Sequence, residues 1–128
     1  MKNIWIIDDD DIFQFVMKIN ISRILNDVDI NFFSEGLSFL KTVELVKKND
    51  EPCPNIIFLD INMPLMNGWE VIEKIKEMNC LDMHKTKLYL CSSSIDARDL
   101  EKAKSNNLIT EYLLKPIDFD KLTYIVNN

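Results

Sequence analysis

Four apolar runs in this chain each end in residues able to do chemistry. IIDDDD, Ile6 to Asp11, ends in carboxylates, and IIFLD, Ile56 to Asp60, ends in a single one. CSSS, Cys91 to Ser94, ends in hydroxyls, and YLLK, Tyr112 to Lys115, ends in an ammonium. Carboxylates gathered with a hydroxyl and an ammonium suit a divalent cation and a phosphoryl group. Mg²⁺ takes oxygen ligands in a near-octahedral shell at about 2.0–2.1 Å and keeps some of its waters. A carboxylate beside such a cation can be a nucleophile toward phosphorus, because the cation offsets the repulsion between two anions.

Each of these residues also has an ordinary use. Asp10 and Asp11 suit the N-cap of a following helix, where a carboxylate accepts free amide N–H groups. Asp8 and Asp9 fit that use less well. They directly follow a buried strand, where unpaired carboxylates repel unless a cation intervenes. Asp60 could close a turn before INMP. Ser92 could belong to a loop, Lys115 to the surface, and Tyr112 to the half-buried side of a strand. No one residue is specific, but the order and spacing of all four groups are.

A sheet would bring these groups together. Asn3 to Ile7 reads as a fully buried first strand, and Asp29 to Phe33 as a shorter, more polar second strand nearer an edge. Ile56 to Leu59, Leu88 to Cys91 and Tyr112 to Leu114 read as the third, fourth and fifth. Between them the spacing predicts helices from Asp10 or Asp11 to about Asn26 and from Ser34 to the Lys47–Asp50 run. Further helices run from Trp69 to about Met78, from Asp96 to Ser105, and from Asp118 onward. Phe13, Val16, Met17 and Ile24 fall near helical spacing, as do Ile72, Ile75 and Met78. In the last helix Phe119, Leu122 and Val126 are expected to face inward. Such alternation implies an α/β fold, with a doubly wound parallel sheet and helices on both faces. Its strand C-termini open on one edge, where ligands bind.

Composition agrees with one domain over residues 1–128. Apolar residues are 47% of the 128, charged residues 28%, and glycines number 2, which describes a chain able to build a core. Charges break every apolar run well before the roughly 18 residues of a membrane span. Only five apolar-rich residues follow Lys2 before the acids begin, so no secretory leader is expected. A net charge of −6 disfavours binding nucleic acid through phosphate neutralisation. Three cysteines without CxxC spacing suit a reducing cytoplasm, and a single histidine argues against structural zinc.

Taken in order, IIDDDD, LDINMPLMNGWE, LYLCSSSIDARD and EYLLKPID resemble the receiver domain of bacterial two-component response regulators, over essentially the whole chain. The resemblance implies a flavodoxin-like sheet of order 2-1-3-4-5 with five helices. It implies that Asp8 and Asp9 hold Mg²⁺ or Mn²⁺, joined by Asp60 and the backbone carbonyl of Asn62. Asp60 is then the phosphoacceptor, Ser92 and Lys115 bind the phosphoryl oxygens, and Pro116 follows a cis peptide bond. Tyr112 matches the aromatic that switches rotamer with Ser92, and the side chains of Asn62 and Ser94 match positions that tune phosphoryl lifetime. Ser92 in place of the commoner Thr, and Ser93 in place of Ala, are mild departures.

The expected function follows from that likeness. A sensor histidine kinase or histidine-phosphotransfer protein would supply the phosphoryl, and an output protein would read the changed surface. The chain would be a cytoplasmic monomer or a weak, phosphorylation-dependent dimer, with no nucleic-acid or membrane partner, and not a turnover enzyme. Two alternatives differ in class. One is an aspartyl-phosphate phosphatase or phosphotransferase, disfavoured because the position two after Asp60 is Asn62 where a second Asp is usual. The other is a pseudo-receiver that only binds partners.

Overall fold

A computed structural model describes residues 1–94 and 96–128. The strands are β1 (Lys2–Ile7), β2 (Val28–Phe33), β3 (Ile56–Asp60), β4 (Lys87–Ser92) and β5 (Glu111–Leu114). The helices are α1 (Asp11–Ile24), α2 (Gly36–Lys48), α3 (Gly68–Met78), α4 (Ala97–Lys104) and α5 (Phe119–Asn127). All strand pairs are parallel, in the order β2-β1-β3-β4-β5, as expected. The more polar β2 is an edge, and β3, whose five residues are all buried, is the centre.

Alternation along the strands divides the core between two faces, since successive side chains of a strand point to opposite sides. Trp5, Ile7, Ile57, Leu59, Leu88 and Leu90 pack against Phe39 and Val43 of α2 and Val71, Ile72 and Ile75 of α3. Ile4, Ile6, Ile56, Phe58, Tyr89 and Cys91 pack against Met17 and Ile21 of α1 and Leu122, Ile125 and Val126 of α5. Helix α4 is the exception, with Ala103 as its one buried residue.

The helix starts are written locally. Asp10 caps α1 by accepting from the amides of Ile12 and Phe13 at 2.9 and 3.4 Å. Asp96 and Asp118 cap α4 and α5 in the same way. At α3 a reciprocal pair forms: Asn67 accepts from the Glu70 amide, and the Glu70 carboxylate accepts from the Asn67 amide.

Several expectations are corrected. Helix α1 ends at Ile24, short of Asn26, because Leu25 is already extended. Phe119, expected inward, is 39% exposed, and Val16, at helical spacing with Phe13 and Met17, is 43% exposed. They sit at the margins of their apolar stripes, and Phe119 instead lies under the Arg23 guanidinium at 5.4 Å.

Gly68 fixes how closely α3 approaches the end of β3. Its amide donates to the Ile61 carbonyl at 2.9 Å. A Cβ there would lie 2.7 Å from the Asp60 carbonyl oxygen and 2.9 Å from the Ile61 Cα, both main-chain atoms that cannot swing aside. Gly68→Ala should therefore cost about 1–3 kcal/mol through overpacking. Thermal unfolding would read this as a Tm lower by several degrees, and an unchanged Tm would refute the close approach.

Candidate functional site

The sheet order reverses between β1 and β3, since β2 lies to one side of β1 while β3, β4 and β5 follow on the other. A crevice forms outside the strand ends at such a switch point. Asp8 and Asp9 leave the end of β1, and Asp60 is the last residue of β3. Carboxylate oxygens from these three residues lie within 4.8 Å of one another. Asp8 and Asp60 are buried, while Asp9 is exposed at the mouth.

Asp8 is held from several sides. One oxygen accepts from the Asp10 amide at 2.9 Å, and the other takes the Lys115 ammonium at 2.6 Å. Gln14 of α1 donates to the carbonyls of both Asp8 and Phe33, tying the ends of β1 and β2 together. Lys115 also reaches Asp60 at 3.1 Å and lies 4.6 Å from the centroid of the Phe13 ring. Its own amide donates to the Ser92 carbonyl, and the bond to Pro116 is cis.

Asn62 closes the site from the β3–α3 loop. Its amide donates to Asp60 at 3.3 Å, and its side-chain nitrogen donates to the Ser92 hydroxyl at 3.4 Å. Ser92 is buried at the end of β4, and its hydroxyl also accepts from the Ser94 amide at 3.3 Å. Ser94 lies exposed at the rim, and its carbonyl accepts from the Tyr112 hydroxyl at 3.1 Å. The cluster opens into a cavity of about 440 Å³ whose apolar wall is Ile12, Phe13, Val16 and Pro116.

The electrostatics are those of too many negative charges in a small space. The Asp60 carboxyl is pushed up to about 6, first by burial and then by the charge of Asp8, against the opposing pull of Lys115 and the Asn62 amide. Burial alone would draw Lys115 toward neutrality. The hydrogen bonds and charges of Asp8 and Asp60 outweigh it, so its pKa is raised. The Cys91 thiol, one strand away, is pushed up by burial and stays protonated.

Three carboxylates face one ammonium, leaving two negative charges uncompensated when all are ionised. An all-oxygen donor set with that residual charge fits a hard divalent cation. Among the described residues it is the one such cluster of potential metal ligands.

The raised Asp60 pKa has a stability consequence. An acid that is harder to ionise in the fold than in the open chain destabilises the fold once ionised. Metal-free stability should therefore fall as pH rises from about 4 through about 6, and stay lower above that. Asp60→Asn removes the buried charge. In the presence of EDTA at pH 7.5 it should raise stability by about 1–3 kcal/mol, with the gain shrinking toward pH 4. Denaturant unfolding at the two pH values checks this, and a variant less stable than wild type at pH 7.5 would contradict it.

Asp8, Asp9, Asp60, Asn62, Ser92 and Lys115 meet at one sheet edge, whereas Tyr112 sits back along β5, opposite Leu90, and reaches toward that edge through the Ser94 carbonyl. The structure adds Phe13 and Gln14, which the sequence reading assigned only to a helix face or left unremarked. Their signal was their position in the first turn of α1, three and four residues past the capping Asp10.

A family model described as the response regulator receiver domain matches residues 4–127. The chain is 30% identical over 122 residues to the chemotaxis protein CheY of Listeria monocytogenes, covering 95% of this chain and 92% of that protein. It is 30% identical over 93 residues to the probable methanogenesis regulatory protein FilR2 of Methanothrix harundinacea, of whose length it spans 58%. A crystal structure of a two-component response regulator from Cytophaga hutchinsonii superposes with a TM-score of 0.89 at 31% identity, covering 99% of this chain and 95% of that one.

Proposed function

The chain belongs to the response regulator receiver domain family, and from that premise we propose that Asp60 is the phosphoacceptor of a two-component phosphorelay. Receiver domains are signalling modules, not turnover enzymes. The observation that carries the reading is a buried Asp60 held by Lys115 at 3.1 Å, with Asp8 and Asp9 beside it and a cavity in front.

In the proposed reaction an Asp60 carboxylate oxygen attacks phosphorus in line. The P–N bond of the phosphohistidine breaks, and the leaving imidazole takes a proton from water. Asp8, Asp9, Asp60 and the backbone carbonyl of Asn62 would hold Mg²⁺ or Mn²⁺, which would supply charge neutralisation to the phosphoryl oxygens. Lys115 is already poised over Asp60 and gives its ammonium to the new phosphoryl oxygens. Ser92 trades its contacts with Asn62 and Ser94 for one with the phosphoryl group. The space it leaves lets Tyr112 give up the Ser94 carbonyl and turn inward. The side chains of Asn62 and Ser94, at the mouth, set how readily water reaches the acyl phosphate.

The phosphodonor is a sensor histidine kinase or histidine-phosphotransfer protein. Exposed Ile12, Phe15, Val16 and Ile19 on α1, next to the cavity, give such a partner an apolar landing face. The output partner reads the face formed by α4, β5 and α5. No helix among the described residues is long and apolar enough to cross a membrane.

Ser92→Ala separates the chemistry from the signal. It should still accept phosphoryl at Asp60 from acetyl phosphate. With beryllofluoride, a phosphoryl mimic, its NMR spectrum should lack the shifts around Tyr112 and α5 that wild type gives. A lost hydrogen bond to a charged oxygen is worth roughly 1.5–3 kcal/mol, enough to reset a switch of a few kcal/mol. Full wild-type shifts in Ser92→Ala would remove Ser92 from the coupling.

A further inference from the structure

Helix α4 has little apolar burial to hold it. Its sequence ARDLEKAK buries Ala103, whereas α2 buries Phe39, Leu40, Val43 and Val46, and α3 buries Val71, Ile72 and Ile75. Burial stabilises in proportion to the apolar area removed from water, so α4 gains least from it.

Polar contacts to two aromatic residues stand in. The Tyr112 hydroxyl holds the Ser94 carbonyl at the end of β4. Trp69, the second residue of α3, donates its indole N–H to the Asp99 carboxylate in the first turn of α4 at 3.0 Å. The Lys102 ammonium, in the last turn, lies 4.7 Å from the centroid of the same indole. One ring thus holds both turns of α4, by its edge and by its face.

That ring is joined to the reacting residue by a short path. Trp69 follows Gly68, whose amide donates to the Ile61 carbonyl and whose Cα lies against the main chain of Asp60. The Asp60 backbone, the start of α3 and the two turns of α4 form one chain of contacts.

We propose that Trp69 is a positioning residue that latches α4 in its resting place through Asp99 and Lys102, and so opposes the switch that follows phosphorylation. The proposal rests on the phosphoacceptor reading of Asp60. Its direction comes from where the contacts are made. An N–H donated to a carboxylate is among the stronger hydrogen bonds, and a cation over an indole face is attracted to it. Both exist with α4 in this position. Withdrawal of Ser92 toward a phosphoryl group gives up its contact with the Ser94 amide, and a shift of α4 in response stretches the Asp99 contact. An interaction present in one state and weakened in the other biases the equilibrium toward the first.

Two measurements test the latch. The first is amide hydrogen exchange of the unphosphorylated, metal-free chain. Residues 97–104 should exchange about five- to tenfold faster in Trp69→Phe, which keeps a ring but lacks the N–H, and in Asp99→Ala, while β1 and β3 stay unchanged. Lys102→Ala should give a smaller change in the same direction. The second is a beryllofluoride titration at saturating Mg²⁺, followed by the NMR shifts of Tyr112 and α5. Its midpoint should fall several-fold in Trp69→Phe and in Asp99→Ala, an effect that loss of stability alone does not produce. If Trp69→Phe loosens the whole domain, Asp99→Ala decides by the same two readings. Unchanged exchange across 97–104 in both variants overturns the latch, as does a midpoint that stays or rises. A wild-type chain that never responds to beryllofluoride overturns the phosphoacceptor reading and the switching role with it. The exchange difference in α4 would then persist as a purely structural tether, which tells the two failures apart.

Discussion

Asp60→Asn is expected to abolish phosphoryl incorporation from acetyl phosphate or a phosphohistidine donor. Wild type should take up one base-labile phosphoryl group in the presence of Mg²⁺, mapped by mass spectrometry to the peptide holding Asp60. An amide oxygen is a poor nucleophile and cannot form a stable acyl phosphate. The rate should drop by about a thousandfold or more, equivalent to about 4 kcal/mol in the barrier. The neighbouring acids are poor substitutes. Asp8 is committed to Lys115 at 2.6 Å and to the Asp10 amide, and Asp9 lies exposed at the mouth. The same substitution is expected to stabilise the metal-free fold, so lost labelling cannot be put down to unfolding. Labelling retained at the wild-type rate would mean that another residue is the acceptor.

Removing the metal should be nearly as damaging. Asp60 must take on a dianionic group while Asp8 and Asp9 stand close by, with Lys115 as the sole cation reaching Asp8 and Asp60 among the described residues. One pair of like charges about 4 Å apart costs about 4 kcal/mol at an effective dielectric of 20. Excess EDTA should therefore slow labelling by about a hundredfold or more, and Mg²⁺ or Mn²⁺ should restore it. Asp9→Asn should raise the Mg²⁺ concentration needed for half-maximal labelling by about tenfold, with labelling regained at high Mg²⁺. Chelation that leaves the rate unchanged would remove Asp8 and Asp9 from any metal role.

The architecture was legible in the sequence, and so was the gathering of acids, hydroxyl and ammonium at one edge. Ile4–Ile7 and Ile56–Leu59 are continuous apolar runs that only a sheet covered on both faces can bury, and regular alternation with helices makes that sheet parallel. Once strand C-termini share an edge, Asp8, Asp60, Ser92 and Lys115 must meet, whatever their distance along the chain. The cap at Asp118 was legible too, and the one at Asp10 to within a residue, because a cap is a contact between near neighbours.

How the groups pair is set by packing. Lys115 and Asp8 are 107 positions apart, and nothing local says that the ammonium sits on Asp8 at 2.6 Å and on Asp60 at 3.1 Å, or that Asp9 is left outside. Periodicity placed Phe119 on an inner stripe and Val16 at helical spacing with Met17. The width of each stripe that neighbours actually cover is set by how helices lie across the sheet, and both residues fall beyond it. The Trp69–Asp99–Lys102 contact was invisible for the same reason. It joins two helices with no shared pattern, and its existence depends on α3 sitting close enough, over Gly68, to bring an indole to α4. Patterns of polarity fix which surfaces are buried, because burial acts on every residue of an element at once. Pairing between particular polar atoms turns on ångström-scale placement, which only the packed chain supplies.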